Sequence, residues 1–357
     1  MSAGGRFAEL GGWPGVLGRL LDRQDLSAEE AECALGEVLR GEASPAQIAA
    51  FVVALRAKGE STAEMTGLVR AMLEHAEPLS LDVEVLDTCG TGGDRSASIN
   101  VSTLAAIVVA ASGQPVCKHG GRAASSASGS ADVLEALGVA IDLGPRGVAA
   151  CVAEAGMGFC FAPRFHPAMR HAAPVRRELG VATVFNLLGP LANPARARLQ
   201  LVGVSDPGMA ERMLAVLAAN GARRAMVVHG ADGLDELSTT GPSRALFYDR
   251  AAGGREAVQP LVVDPAALGL APARLADLRG GDPGTNARLA REVLAGRPGP
   301  HRDVVLLNAA AGLLVAGRVA DLAEGLAQAA QAIDSGAAAA TLDRLVAVST
   351  REAAAGH

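Results

Sequence analysis

The chain has 357 residues, too many for a minimal domain and suited to one large or two unequal domains. Half of the residues are apolar but only 3% are aromatic, so a core must be packed with Ala, Val and Leu. A formal charge of −6, with basic pairs only at Arg176-Arg177 and Arg223-Arg224, argues against a nucleic-acid partner and for small molecules.

The first eighty residues read as consecutive helices. Ser27 with Glu30, Ser44 with Gln47 and Ser61 with Glu64 each carry the capping-box spacing, in which a hydroxyl and a later Glu or Gln satisfy exposed amides reciprocally. Pro45 suits a first helical position and Gly59 a helix end. Ile48, Phe51, Val52 and Leu55 share one face at helical spacing, which predicts a small helical bundle.

After Pro78 short apolar runs lead into Gly-rich turns and then into helical patterns. The cycle occurs at Val85 to Thr88, Pro115 to Lys118, Gly158 to Ala162, Leu199 to Val204 and Ala225 to His229. Such alternation predicts an α/β domain with a mainly parallel sheet, whose ligands bind at the carboxyl ends of the strands. The tail from about Ser335 reads as a structural, Ala-rich helix.

Three loops after strands carry candidate chemistry. In Gly90-Thr91-Gly92-Gly93-Asp94, three glycines let the backbone approach a ligand and aim amides at an anion. Arg95 stands where a dinucleotide fingerprint needs glycine, and by itself the loop reads first as a tight turn. Asn100-Val101-Ser102-Thr103 opens a helix whose free amides favour anions, or are simply capped by Asn100 or Ser102. Lys118-His119-Gly120-Gly121-Arg122-Ala123-Ala124-Ser125-Ser126 suits a diphosphate better than a core, with a solvated turn as the plain alternative.

The five cysteines, Cys33, Cys89, Cys117, Cys151 and Cys160, are scattered and form no C-x-x-C pair, so free thiols in a reducing cytoplasm are expected. No signal-peptide core follows Met1, and the apolar run from Leu104 to Ala111 is too short to span a bilayer. A cytoplasmic protein with no membrane partner is the expectation.

In order, GTGGD, NVST, the Lys118 to Ser126 loop and SGSADVLEALG resemble the anthranilate phosphoribosyltransferase family of tryptophan biosynthesis. The resemblance continues through Val175 to Gly180, Phe185 to Pro194 and the run His229 to Glu236. It implies transfer of phosphoribose from phosphoribosyl pyrophosphate (PRPP) to the anthranilate nitrogen, with Mg2+. It also implies a small N-terminal helical domain (1–80, with a return segment near 176–195) and a larger α/β domain (81–175 and 196–357). A homodimer through the helical domain, and closure between domains, follow from the same resemblance.

By the family pattern Gly90, Gly93, Asp94, Ser98, Asn100, Val101, Ser102 and Thr103 hold PRPP, and Lys118 to Ser126, with Ser130, embrace its phosphates. Lys118 is also the physical choice of point charge for a developing pyrophosphate. Asp235 and Glu236, with Ser102, resemble a magnesium site, although an acidic pair taken alone is ordinarily just solvated. Arg176 matches an arginine that meets the acceptor carboxylate, which a planar fork suits; a surface ion pair with Glu178 is the plain alternative. Gly90, His119, Gly121 and His166 complete the acceptor pocket.

One departure stands out: the family usually has Asn where this chain has Gly121. The change suggests weaker acceptor binding, or the same reaction on a different aromatic amine. A pyrimidine nucleoside phosphorylase-like enzyme is a second reading and a PRPP-binding sensor a third. The separate Lys118-His119 loop weighs against the former, and retention of Lys118, Arg176, Asp235 and Glu236 against the latter.

Overall fold

The computed structural model describes residues 7–94, 96–123 and 127–355. Helices α1 (Gly12–Leu21), α2 (Ala28–Leu39), α3 (Pro45–Lys58) and α4 (Thr62–Glu74) form the N-terminal bundle. All three capping boxes close: Ser27, Ser44 and Ser61 accept the N3 amide at 3.2, 3.3 and 3.2 Å, and each acidic or amide partner accepts the cap N–H at 2.8 Å. Glu64 does more than cap. Its buried carboxylate also accepts Leu26 N (3.0 Å) and pairs with Lys58 (2.9 Å), tying α4 to the entry of α2. Ile48, Phe51, Val52 and Leu55 are buried, and the Trp13 ring stands edge-on to Phe7 and Phe51.

The larger unit is a seven-stranded sheet in the order β3-β2-β1-β4-β5-β6-β7. Strands β1 (Leu86–Gly90), β2 (Val116–Gly120), β3 (Met157–Phe161), β4 (Leu199–Gly203) and β5 (Arg224–Gly230) run parallel; β6 (Ser243–Asp249) and β7 (Val258–Val263) add an antiparallel hairpin at one edge. The five parallel strands coincide with the five predicted apolar runs. The hairpin is an addition that the alternating pattern did not reveal.

Alternation along the strands sends side chains to two faces. Leu201, Met226 and Val228 enter one core, with α5 (Val101–Ala111), α6 (Ser130–Ala136) and α7 (Pro145–Ala155). Val202, Ala225 and Val227 enter a second core, which also holds Phe51, Leu55 and Met65 of the bundle. Helix α8 (Ala173–Leu179) and the turn Phe185–Leu188 return to the bundle, burying Val175, Val184, Phe185 and Leu188 in that second core. Helix α9 (Ala210–Ala219) packs against α4. The C-terminal helices α10 (Pro283–Leu294), α11 (Pro300–Ala316), α12 (Leu322–Asp334) and α13 (Ala337–Ala355) line the first core, with α11 against α5 and α13 against α7. No helix among the described residues is long and apolar enough to cross a membrane.

Candidate active site

A cleft of about 670 Å³ opens where β1, β2 and β4 end. It is lined by Gly90, Gly93, Asp94, Ser98, Asn100 to Thr103, Lys118 to Ala123, Ser130, Asp235 and Glu236. These are most of the residues singled out from sequence. Ala124, Ser125 and Ser126 lie outside the described residues.

The glycine loop is pinned by a carboxylate. Asp235 Oδ2 accepts Gly92 N at 2.7 Å, and a Cβ on Gly90 would fall 2.1 Å from that same oxygen, so the approach needs glycine. Beside it Glu236 Oε1 accepts Ser102 N at 3.0 Å, so the first amides of α5 meet an acceptor that helix N-termini favour. Asn100 does not cap that helix through its side chain. Its Nδ2 donates to Ser128 O (3.0 Å) and its Oδ1 accepts from Asn286 (2.9 Å), joining two loops around the cleft.

Burial raises the Glu236 carboxyl to about 8, with the neighbouring Asp235 charge adding and Lys118 opposing. Burial and the Asp94 charge raise Asp235 to about 6. A cation held between these two raised carboxyls would favour their ionised form, and such hard oxygen donors fit a magnesium ion, which needs few protein ligands when a substrate supplies phosphates. The described residues hold no group of three or more His, Cys, Asp or Glu placed to bind a metal, this pair included, so phosphate oxygens would have to complete the shell of an ion here.

Lys118 is a buried cation reaching from β2 towards α5. Its Nζ donates to Thr88 O and to Ser102 Oγ (3.2 Å), which leaves one of three ammonium hydrogens over. Asp87, fully buried on β1, accepts His119 N at 3.1 Å and lies within the field of Lys118; burial raises its carboxyl and that cation opposes the rise. His119 Nδ1 lies 3.1 Å from Gly189 O, while its Nε2 is buried without a partner among the described residues.

Arg122 lines the cleft, but its guanidinium is already paired with Asp132 (2.9 Å) and Glu135 (2.8 Å). Asp132 also accepts Ala123 N (2.9 Å) and Gly129 N (2.8 Å), bracketing the loop from both sides. Two residues expected at the acceptor end are not on the wall of this cleft. His166 is buried, with Nε2 3.0 Å from Ala192 O and its ring 5.1 Å from that of His119. Arg176 is half-buried over the Phe185 ring at 5.2 Å and makes no ion pair among the described residues, Glu178 included. Burial without a charged partner lowers its pKa.

Sequence reasoning missed Asn186, Ser205, Asp206 and Met209 on the cleft wall, and Arg56 reaching it from the bundle. Arg56 stands 3.8 Å from the buried Glu60, which Arg212 of α9 approaches at 3.9 Å. The LRAKGE run that ends α3 held the signal, but only the fold brings it to the cleft.

A helical bundle joined to an α/β sheet, with amides, hydroxyls, a lysine and paired carboxylates around one cleft, defines a transferase acting on a phosphorylated sugar. The models described as "Glycosyl transferase family, helical bundle domain" and "Glycosyl transferase family, a/b domain" match residues 14–76 and 82–339. The anthranilate phosphoribosyltransferase of Salinispora arenicola is 54% identical over 345 residues, 94% of this chain and 96% of that one. That of Rhodococcus jostii is 53% identical over 339 residues, 93% and 92% of the two chains. Among solved structures, the Thermus thermophilus enzyme matches with a TM-score of 0.88 at 45% identity, over 94% of this chain and 99% of that chain. The Saccharomyces cerevisiae enzyme in complex with PRPP and Mg matches at 0.86 and 28%, over 95% and 98%. The chain belongs to the anthranilate phosphoribosyltransferase family. Neither a different amine nor a nucleoside phosphorylase is favoured by these matches.

Proposed function

We propose that this enzyme transfers the phosphoribosyl group of PRPP to the anthranilate nitrogen, giving N-(5-phosphoribosyl)anthranilate and pyrophosphate in tryptophan biosynthesis. The observation that supports this most is the convergence of the glycine loop, the start of α5, Lys118 and the Asp235-Glu236 pair on one cleft. A departing diphosphate needs positive charge and hydrogen-bond donors held against its oxygens. Gly90, Gly93, Asp94, Ser98 and Asn100 to Thr103 hold PRPP, and Lys118 with the following loop and Ser130 takes the phosphates. The remaining ammonium hydrogen of Lys118 serves a phosphate oxygen. A magnesium ion would be held by Ser102, Asp235 and Glu236 and, when bound, supplies positive charge against the pyrophosphate.

At the acceptor end, Arg176 meets the anthranilate carboxylate. A half-buried guanidinium that stacks on an aromatic ring and has no ion pair among the described residues gains most from a carboxylate in that position. Gly90, His119 and Gly121 flank the ring and amine, and His166 supports them through its ring, 5.1 Å from that of His119. We further propose that the chain divides into 1–80 with the return segment 176–195, and 81–175 with 196–357. It works as a cytoplasmic homodimer joined through the bundle, where Leu21 and Val53 expose apolar side chains.

The test mixes protein, PRPP, magnesium and anthranilate and follows the loss of anthranilate fluorescence. Turnover that stops on omitting magnesium, and in Glu236→Gln at low magnesium, is the expected result. A protein that binds PRPP yet leaves anthranilate unchanged overturns the proposal.

A further inference from the structure

We propose that His119 takes the proton that the arylamine nitrogen sheds as it bonds to the ribose carbon, a role resting on the reaction proposed above. Three features of the ring carry the inference. First, Nδ1 faces the Gly189 carbonyl at 3.1 Å. A carbonyl only accepts, so in the neutral ring Nδ1 keeps the hydrogen and Nε2 bears the lone pair. Second, that Nε2 is buried with no hydrogen-bond partner among the described residues, although the residue lines the cleft and is only 5% exposed. A buried lone pair left unmatched costs free energy unless something arrives to use it. Third, His166 does not use it, because its own Nε2 is engaged with Ala192 O at 3.0 Å.

The ring is also kept neutral. Burial, with the neighbouring His166 and Lys118 adding to it, lowers the His119 pKa to about 3. Such a weak base would be useless against an alkylammonium, but a secondary arylammonium is a strong acid and yields its proton readily. Matching a weak base to a strong acid leaves the base free at neutral pH. The carboxylates of the same cleft, Asp94, Asp235 and Glu236, are not among the groups that shift the His119 ring. Asp87 fixes the backbone beneath the ring, accepting His119 N at 3.1 Å.

The step balances. The bond from the ribose carbon to pyrophosphate breaks, and its electron pair leaves with the pyrophosphate. The nitrogen lone pair forms the new carbon–nitrogen bond. The nitrogen–hydrogen bonding pair then returns to nitrogen as the proton passes to Nε2, and the imidazolium loses it to the departing pyrophosphate or to solvent.

The experiment compares wild type, His119→Asn and His119→Ala with PRPP, magnesium and anthranilate. Asparagine keeps an N–H near Gly189 O but has no counterpart of Nε2. His119→Asn should lower kcat about a hundredfold with little change in PRPP affinity. His119→Ala should regain activity with added imidazole but not with pyrrole, which has no ring lone pair to offer. If His119→Asn keeps kcat within about threefold of an active wild type, the acceptor's own carboxylate takes the proton and the inference falls alone. Loss of PRPP affinity without recovery by imidazole would make His119 structural and overturn it. A wild type inert towards anthranilate overturns this inference together with the reaction on which it rests.

Discussion

Gly121 and Gly90 sit at the ends of neighbouring strands, yet only one of them needs to be glycine. At Gly90 any side chain would strike the Asp235 carboxylate. At Gly121 the backbone is not in the left-handed region, and the nearest atom to an added Cβ is that of Ala162, at 3.9 Å. Gly121→Asn should therefore fold as well as the parent. Restoring the amide usual in the family adds about one hydrogen bond to the acceptor, worth roughly 0.5–1.5 kcal/mol. The acceptor KM should fall by about three- to tenfold with the PRPP KM unchanged. Steady-state kinetics at saturating PRPP decide it; an unchanged or higher acceptor KM removes Gly121 from the acceptor pocket.

The elements that were legible in the sequence are those whose signal is local. Capping boxes at Ser27, Ser44 and Ser61 mark their helices because donor and acceptor lie three residues apart. The five parallel strands stand out because a strand covered on both faces is a continuous apolar run. The β6–β7 hairpin escaped because β7 lies at the sheet edge, is largely exposed and carries Pro260, which an edge tolerates and a central strand does not. In the cleft, the glycine loop, Lys118 and the Asp235-Glu236 pair are motifs. Asp87, Asn186 and Asp206 are ordinary in sequence and gain meaning only from tertiary neighbours.

Asp132 shows how much one such neighbour holds. It takes the amides of Ala123 and Gly129 and the Arg122 guanidinium, fastening both ends of the loop between β2 and α6. Those amides and Arg122 outweigh burial and hold its carboxyl below the ordinary value. A depressed carboxylate stabilises the fold above its unfolded pKa, and that contribution is lost as pH falls through the lower, folded value. Asp132→Ala should cost about 1–3 kcal/mol at neutral pH and raise the KM for PRPP. Denaturant titrations should find the gap between variant and parent constant above about pH 5 and shrinking as pH falls below about 4. A gap that stays constant with pH would show that the carboxylate charge contributes nothing.

At the scale of the whole molecule, the bundle and the sheet do not have separate cores. The second core runs from Phe51, Leu55 and Met65 through Met213 and Leu217 of α9 to Val202 and Val227 of the sheet. Apolar surface shared in this way couples the two units, because neither can unfold without exposing the other's side chains to water. The single tryptophan lies on the bundle side, where Trp13 packs against Phe51, and so reports on the bundle alone. Leu217 belongs to the α/β side and is 2% exposed. Leu217→Ala removes buried methyl groups at a cost of about 2–5 kcal/mol. Although the substitution lies on α9, it should move the Trp13 fluorescence midpoint and the far-ultraviolet circular dichroism midpoint together by the same amount. Should the tryptophan midpoint stay in place while the dichroism shifts, the bundle unfolds on its own. Residues of both units reach the cleft, Arg56 from α3 and Lys118 from β2, so their relative position would then rest on polar contacts such as that of Glu60 with Arg212 rather than on the core.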